Sequence, residues 1–181
     1  MRCFLSVDLD EKLIQKVLRI QEVIKKLHDG IKVVEPENLH FTIKFLGEVE
    51  ESEIDRISKS LRFLENETVF KIEINRLGYF GSPNYIRVVW LGIGNGEGKM
   101  KELLKKVNEN VKFGEKNDSP HLTIGRIKAG KNRAALLKFI DENEKVKIGE
   151  MTVNEMQLKM SVLGRAGPTY KNMYIFRLGQ K

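Results

Sequence analysis

Two of the chain's three histidines occur in the same four-residue frame, His40-Phe41-Thr42-Ile43 and His121-Leu122-Thr123-Ile124. Each copy alternates polar and apolar residues. On a β-strand successive side chains point to opposite faces, so His and Thr of one copy share a face while Phe41 and Ile43, or Leu122 and Ile124, anchor the other. The two polar groups then stand about 6–7 Å apart along the strand, so an imidazole can reach a reacting oxygen while the hydroxyl donates to a non-bridging oxygen of the same phosphate. Opening a cyclic phosphodiester with water needs one group to take the water's proton and another to protonate the leaving ribose oxygen; two imidazoles on opposite sides of phosphorus suffice. Histidine suits both jobs because its ordinary pKa, near ~6.5, makes either protonation state accessible around neutrality. The threonines would stabilise the charge that the equatorial oxygens gain in the transition state.

This reading makes His40 and His121 the catalytic candidates and Thr42 and Thr123 the phosphate-holding ones. A lone His-x-Thr is ordinarily just a half-buried polar pair, and the duplication carries the argument. Each copy also has a cation nearby, Lys44 in the first and Arg126 in the second. Arg126 has the wrong parity to share the histidine face unless the strand ends or bulges there. No compact His/Asp/Glu ligand set lies beside either motif, so neither a metal nor a cofactor is expected. His28, next to Asp29 at the end of a helical pattern, reads as structural, a protonated ring complementing the helix dipole.

The elements that must position these residues follow from periodicity. Met1 to Leu9 alternates as a strand with Cys3, Leu5, Val7 and Leu9 on its apolar face. Asp10 caps a helix carrying Leu13, Val17, Ile20, Ile24 and Leu27, which ends near Gly30 in a left-handed residue. A strand follows from about Leu39 to Leu46, then a helix opened by Ser52 with Asp55 as its capping-box partner. Strands at roughly Thr68 to Asn75 and Tyr85 to Ile93 flank the turn Gly81-Ser82-Pro83-Asn84. The order then repeats: a helix on Met100, Leu103, Leu104, Val107 and Val111, a strand from Leu122 to Ile127, a helix from Ala134 to Ile140. An irregular strand from about Val146 to Leu163 and another from Asn172 to Leu178 close the chain. Hairpin turns without strict β-α-β alternation predict an α+β fold with antiparallel sheets. The glycine-rich run from Gly92 to Lys99 departs from a phosphate-binding loop, since Ile93 stands at the first glycine position and Met100 replaces the required Ser or Thr; it reads as a strand-to-helix connection.

Composition bounds the partners. The chain of 181 residues carries 32 Lys and Arg against 25 Asp and Glu, a net charge of +7, which favours polyanions. No apolar run is long enough to span a membrane and no export signal opens the chain, so a cytoplasmic protein without membrane contact is expected. The single cysteine, Cys3, excludes an internal disulfide and fits a reducing compartment.

At these residues the chain resembles the two-histidine phosphoesterase superfamily, whose members carry two H-x-[ST]-x motifs, and specifically its RNA 2',3'-cyclic phosphodiesterase family, historically called 2'-5' RNA ligases. The resemblance extends to Met1-Arg2 with Phe4 and Asp8-Leu9, to the run from Pro36 to Val49, to Phe80-Gly81-Ser82-Pro83 with Val88-Val89-Trp90-Leu91-Gly92, and to Ser161, Leu163, Gly167-Pro168 and Tyr170. It implies a bilobal α+β fold over residues 1–181 in which two pseudo-symmetric antiparallel sheets, backed by helices, present one motif each to a central cleft. It further implies hydrolysis of 2',3'-cyclic phosphate RNA ends to 2'-phosphates, with weak, reversible, ATP-independent ligation of tRNA halves through 2'-5' linkages in some relatives; the expected partner is RNA with such ends, tRNA halves included, and the expected state is a monomer. Val33 stands where many relatives have Trp, which removes one stacking group; Phe45, Tyr79, Phe80 and Tyr170 remain candidates to stack on a base. Two other readings stay open: a non-catalytic RNA-binding module, and a phosphodiesterase acting on small cyclic nucleotides.

Overall fold

The first strand of the computed structural model, β1 (Arg2–Asp8), buries both of its faces at its centre, from Cys3 to Val7. The structure describes residues 1–128, 133–165 and 167–179. Asp10 caps the helix α1 (Glu11–Leu27), its carboxylate accepting the Lys12 N–H. This helix lays Leu13, Val17 and Ile24 into the core. It ends at Leu27, the last residue of its apolar stripe and short of the expected Gly30: His28 is extended, with φ −146°. Gly30 is not left-handed, and its N–H instead donates to His28 Nδ1 at 3.1 Å. His28 itself is buried, 1% exposed, and serves the fold through packing and this hydrogen bond.

The chain continues through β2 (Ile31–Val33), a 3₁₀ turn at Pro36–Asn38, β3 (His40–Glu48) and α2 (Ile54–Ser60). The capping box before α2 is formed by Glu50 and Glu53 rather than by Ser52 and Asp55. Then come β4 (Phe70–Ser82), β5 (Tyr85–Ile93), α3 (Glu97–Asn110), β6 (His121–Ile127), α4 (Arg133–Glu142), β7 (Gly149–Val153), β8 (Glu155–Leu163) and β9 (Pro168–Arg177). The stretch expected as one irregular strand, Val146 to Leu163, is two strands broken at Asn154. They lie at opposite ends of the fold, β7 pairing with β4 and β8 with β1.

All strand pairings are antiparallel, and the order β7-β4-β5-β6-β3-β1-β8-β9 runs through the sheet, with β2 added on β6. This path is two four-stranded halves, β9-β8-β1-β3 and β7-β4-β5-β6, joined edge to edge by their inner strands. The junction is one paired position, Phe41 opposite Leu122. Both side chains are fully buried, so the seam between the halves is closed by packing where backbone pairing is minimal. The fold is α+β and antiparallel, as the sequence predicts, and each motif-bearing strand is the inner edge of one half.

A candidate active site at the seam of two half-sheets

The register at the seam decides what faces what. Phe41 and Leu122 oppose each other and point into the core, so the residues flanking them, His40 and Thr42 on β3 and His121 and Thr123 on β6, project from the other face. Neighbouring strands lie about 4.8 Å apart, and extending the antiparallel register by one residue each way sets the two histidines diagonally, with Cα atoms roughly 8 Å apart. All four polar residues are half-buried. The alternation read from each motif, and their convergence on one face, both hold.

Both imidazoles are oriented in the same way. His40 Nδ1 lies 2.7 Å from Asn38 O and His121 Nδ1 lies 2.8 Å from Ser119 O, in each case the carbonyl two residues upstream. A carbonyl can only accept, so each Nδ1 carries the hydrogen and each Nε2 is left as the reactive nitrogen. His40 Nε2 is 3.0 Å from Thr42 Oγ1: with the ring neutral, the hydroxyl donates to it. Once Nε2 is protonated the bond reverses, and the threonine hydrogen is released to point at an anion.

Burial governs the titration of both rings. Desolvation pulls His40 down to about 4, opposed by its bond to Asn38 and reinforced by the charges of Lys159 and Arg126. His121 is lowered by the same cause, with Arg126 adding to it. Rings pack against each imidazole. Phe4 lies 5.0 Å from His40, Tyr170 meets His40 edge-on at 5.5 Å, and Phe80 meets His121 edge-on at 4.7 Å. Burial also raises the Tyr170 phenol.

The condition placed on Arg126 is met. Between Val89 opposite Gly125 and Trp90 opposite Thr123 the register of β6 against β5 slips by one residue, a bulge that inserts Ile124 and reverses the parity beyond it. Arg126 therefore emerges on the histidine face, where its charge acts on His40, His121 and Tyr170 alike. The bulged Ile124 carbonyl is not orphaned: it accepts the Val34 N–H at 3.0 Å and Gln21 Nε2 at 2.9 Å. A matching slip falls on β3 between Leu5 opposite Lys44 and Ser6 opposite Thr42. It has the same effect there, turning Phe45 to the cleft face, 45% exposed and 6.3 Å from Phe4.

That slip also removes Lys44 from the site. Its side chain is 1% exposed and its ammonium donates to Asn108 Oδ1 of α3 at 2.8 Å. The expectation that Lys44 holds substrate is corrected: the bulge that turns Phe45 outward turns Lys44 inward.

Several residues near the site escaped the sequence reading. Phe4, Ser6 and Asp8 form the second face of β1, and the register sets Ser6 opposite Thr42 and Asp8 opposite His40. Lys159, 4% exposed, pairs with Asp8 at 2.6 Å beneath that histidine. On the other half, Trp90 stands opposite Thr123, its six-membered ring lying across Gly78 and Gly92; a Cβ on Gly78 would come within 2.5 Å of it. The absence of side chains at those two positions makes room for the indole. The available signal was Trp90-Leu91-Gly92 on β5 with Gly78 directly opposite Trp90 on β4, legible only once the two strands are in register. Among the described residues, no group of three or more His, Cys, Asp or Glu is arranged to hold a metal ion, and no helix is long and apolar enough to cross a membrane.

Comparison with known proteins fits this geometry. The family model described as LigT like Phosphoesterase matches residues 7–90, which contain the first motif. A protein of Methanothermobacter thermautotrophicus named RNA 2',3'-cyclic phosphodiesterase is 46% identical over 98% of both chains. One of the same name from Archaeoglobus fulgidus is 38% identical over 97% of this chain and 99% of that one. A crystal structure of a Thermus thermophilus protein superposes over the whole of both chains with a TM-score of 0.81 at 27% identity.

Proposed function

The chain belongs to the LigT-like phosphoesterase family, and from that premise we propose that it hydrolyses 2',3'-cyclic phosphate ends of RNA to 2'-phosphates, with His40 and His121 as its acid–base pair. The observation that carries this reading is the seam at Phe41 and Leu122, where two half-sheets turn two matched His/Thr pairs toward one volume and each histidine has its Nδ1 hydrogen tied to a backbone carbonyl.

In the proposed reaction water attacks phosphorus in line with the 3'-oxygen. One neutral Nε2 takes the water's proton, and the other imidazolium gives its proton to the departing 3'-oxygen. The hydroxyls of Thr42 and Thr123 and the Arg126 guanidinium hold the non-bridging oxygens as their charge grows. We assign the base to His121, the more solvent-open ring, because the attacking water must arrive there. His40, more deeply desolvated, faces the leaving oxygen. Phe45, Tyr170, Phe80 and Trp90 offer ring faces for the flanking bases, a recognition mode that tolerates sequence, and the net charge of +7 favours the RNA backbone.

The whole chain acts in this reading as one bilobal catalytic unit, monomeric and cytoplasmic, with tRNA halves among its substrates. Ligation through a 2'-5' linkage is the same ring opening with a 5'-hydroxyl in place of water, the P–O5' bond forming as the P–O3' bond breaks and the 3'-oxygen taking up the proton, and dilute water favours hydrolysis.

The test is cleavage of a short oligonucleotide bearing a 2',3'-cyclic phosphate, in EDTA. His40→Ala and His121→Ala should each lower kcat by about 10²–10⁴-fold, the range for a lost general acid or base. Undiminished turnover by either variant overturns the assignment. Salt-sensitive RNA binding with cyclic ends left intact would replace the enzyme with a binding module.

A further inference from the structure

The two motifs share a single paired backbone position, yet proton transfer on both sides of one phosphorus demands a fixed spacing. A chain of hydrogen bonds supplies a second tie. It begins at the buried Lys44 ammonium, which donates to Asn108 Oδ1 at 2.8 Å. Asn108 Nδ2 donates to the backbone carbonyl of Asn117 at 3.1 Å, in the segment between α3 and β6. The Asn117 side chain then faces both motifs. Its Nδ2 donates to Thr42 O on β3 at 2.5 Å, and its Oδ1 accepts the N–H of Ser119 at 3.2 Å. Ser119 O is the acceptor that holds the Nδ1 hydrogen of His121.

The path leaves β3 at Lys44, crosses α3, returns to β3 at Thr42 and ends on the second catalytic ring. Pairing of β3 with β6 is confined to Phe41 and Leu122, and the next carbonyl on β3, that of Thr42, takes the side-chain donor instead. Among the described residues no carboxylate pairs with Lys44. Burial and the charge of Lys116 lower its proton affinity, and a buried cation of this kind strengthens the polarised amide bonds beyond it.

We propose that Lys44, Asn108 and Asn117 form a brace that sets the distance between the two histidine motifs and holds His121 in its Nδ1–H tautomer, with Asn117 as a positioning residue for the reaction. The inference rests on the acid–base reading above. It assigns Lys44 a role by connection rather than by contact with substrate. A displacement of about 1 Å between reacting groups is enough to cost on the order of 10²-fold in rate.

Asn117→Asp tests the inter-motif bond by itself: it is isosteric and keeps the acceptor for Ser119, but replaces the donor to Thr42 with a carboxylate oxygen. The expected result is a kcat lower by about 10²-fold with KM changed by less than about threefold, since the phosphate-holding groups remain. In ¹⁵N-resolved NMR of the unliganded protein, the Nδ1–H signal of His121 should move or broaden while that of His40, anchored on Asn38, stays in place. Lys44→Met, which keeps the buried volume and removes the charge, should shift the His121 signal in the same direction by a smaller amount. The brace is overturned if both variants leave that signal and kcat unchanged, or if kcat falls only in step with loss of folded protein. The NMR arm needs no substrate, so a failure of the wild type to open cyclic phosphates would refute the enzymatic reading and still leave the brace decided.

Discussion

Protons and anions should bind this site together, and the effect is large enough to measure with sulfate, which stays dianionic across the neutral and mildly acidic range. In the empty site His40 titrates at about 4 instead of 6.5, a difference worth roughly 3 kcal/mol against the imidazolium. A dianion about 4 Å from the ring contributes on the order of 8 kcal/mol at an effective dielectric of about 20, which exceeds that cost. Sulfate should therefore bind with uptake of at least one proton, and its affinity should rise about tenfold for each pH unit between roughly 7 and 5. Isothermal titration in two buffers of different ionisation enthalpy counts the protons directly. His40→Asn should reduce the slope. An affinity constant within about threefold across that range, with no proton uptake, would refute the claim that desolvated imidazoles receive the phosphate. Stability gives the same test from the other side. The folded pKa lies below the unfolded one, so the unfolded chain takes up the proton first. The free protein should lose about 3 kcal/mol from this group as pH falls from about 6.5 to about 4, and sulfate should restore part of it.

Three further outcomes follow from particular contacts. Because Arg126 lowers the proton affinity of both histidines, Arg126→Gln should raise KM for the cyclic phosphate and move the acidic limb of the kcat/KM profile upward, read from a pH series; an unmoved limb would place the guanidinium outside the site. Gly78→Ala puts a Cβ within 2.5 Å of the Trp90 ring, and the overpacking should cost about 1–3 kcal/mol in urea unfolding while weakening binding of longer oligonucleotides more than of a mononucleotide. Phe41→Ala removes a fully buried ring from the one paired position of the seam; about 3–5 kcal/mol should be lost, and activity measured well below the new melting temperature should fall too, because the spacing of the motifs loosens. Wild-type kcat in that variant would show that the brace through Asn117 suffices without the seam.

The motif pairs were legible in the residues alone because strand alternation is a local rule. His40 and Thr42, or His121 and Thr123, share a face whatever the rest of the chain does, and the apolar partners Phe41 and Leu122 choose which face is buried. The antiparallel α+β class followed in the same way from turns and periodicity. The helix end at Leu27 did not, since the left-handed glycine stop expected at Gly30 lies beyond the point where His28 turns inward. The split of Val146 to Leu163 into β7 and β8 was also hidden: two strands that follow one another with a single residue between them look like one strand until their partners, β4 and β1, are known.

Tertiary structure alone decided the cations and the spacing. Lys44 and Arg126 follow their motifs at different offsets, and strand parity applied to either sequence without the bulges assigns both to the wrong face. The slips at Ile43 and Ile124 come from what the neighbouring strands and Gln21 of α1 demand of the backbone, which no local pattern encodes. They turn Arg126 toward the two histidines and Lys44 into the protein, where its charge roots the hydrogen bonds that run to His121. The sequence by itself determined which atoms can do the chemistry; long-range pairing determined which of them meet.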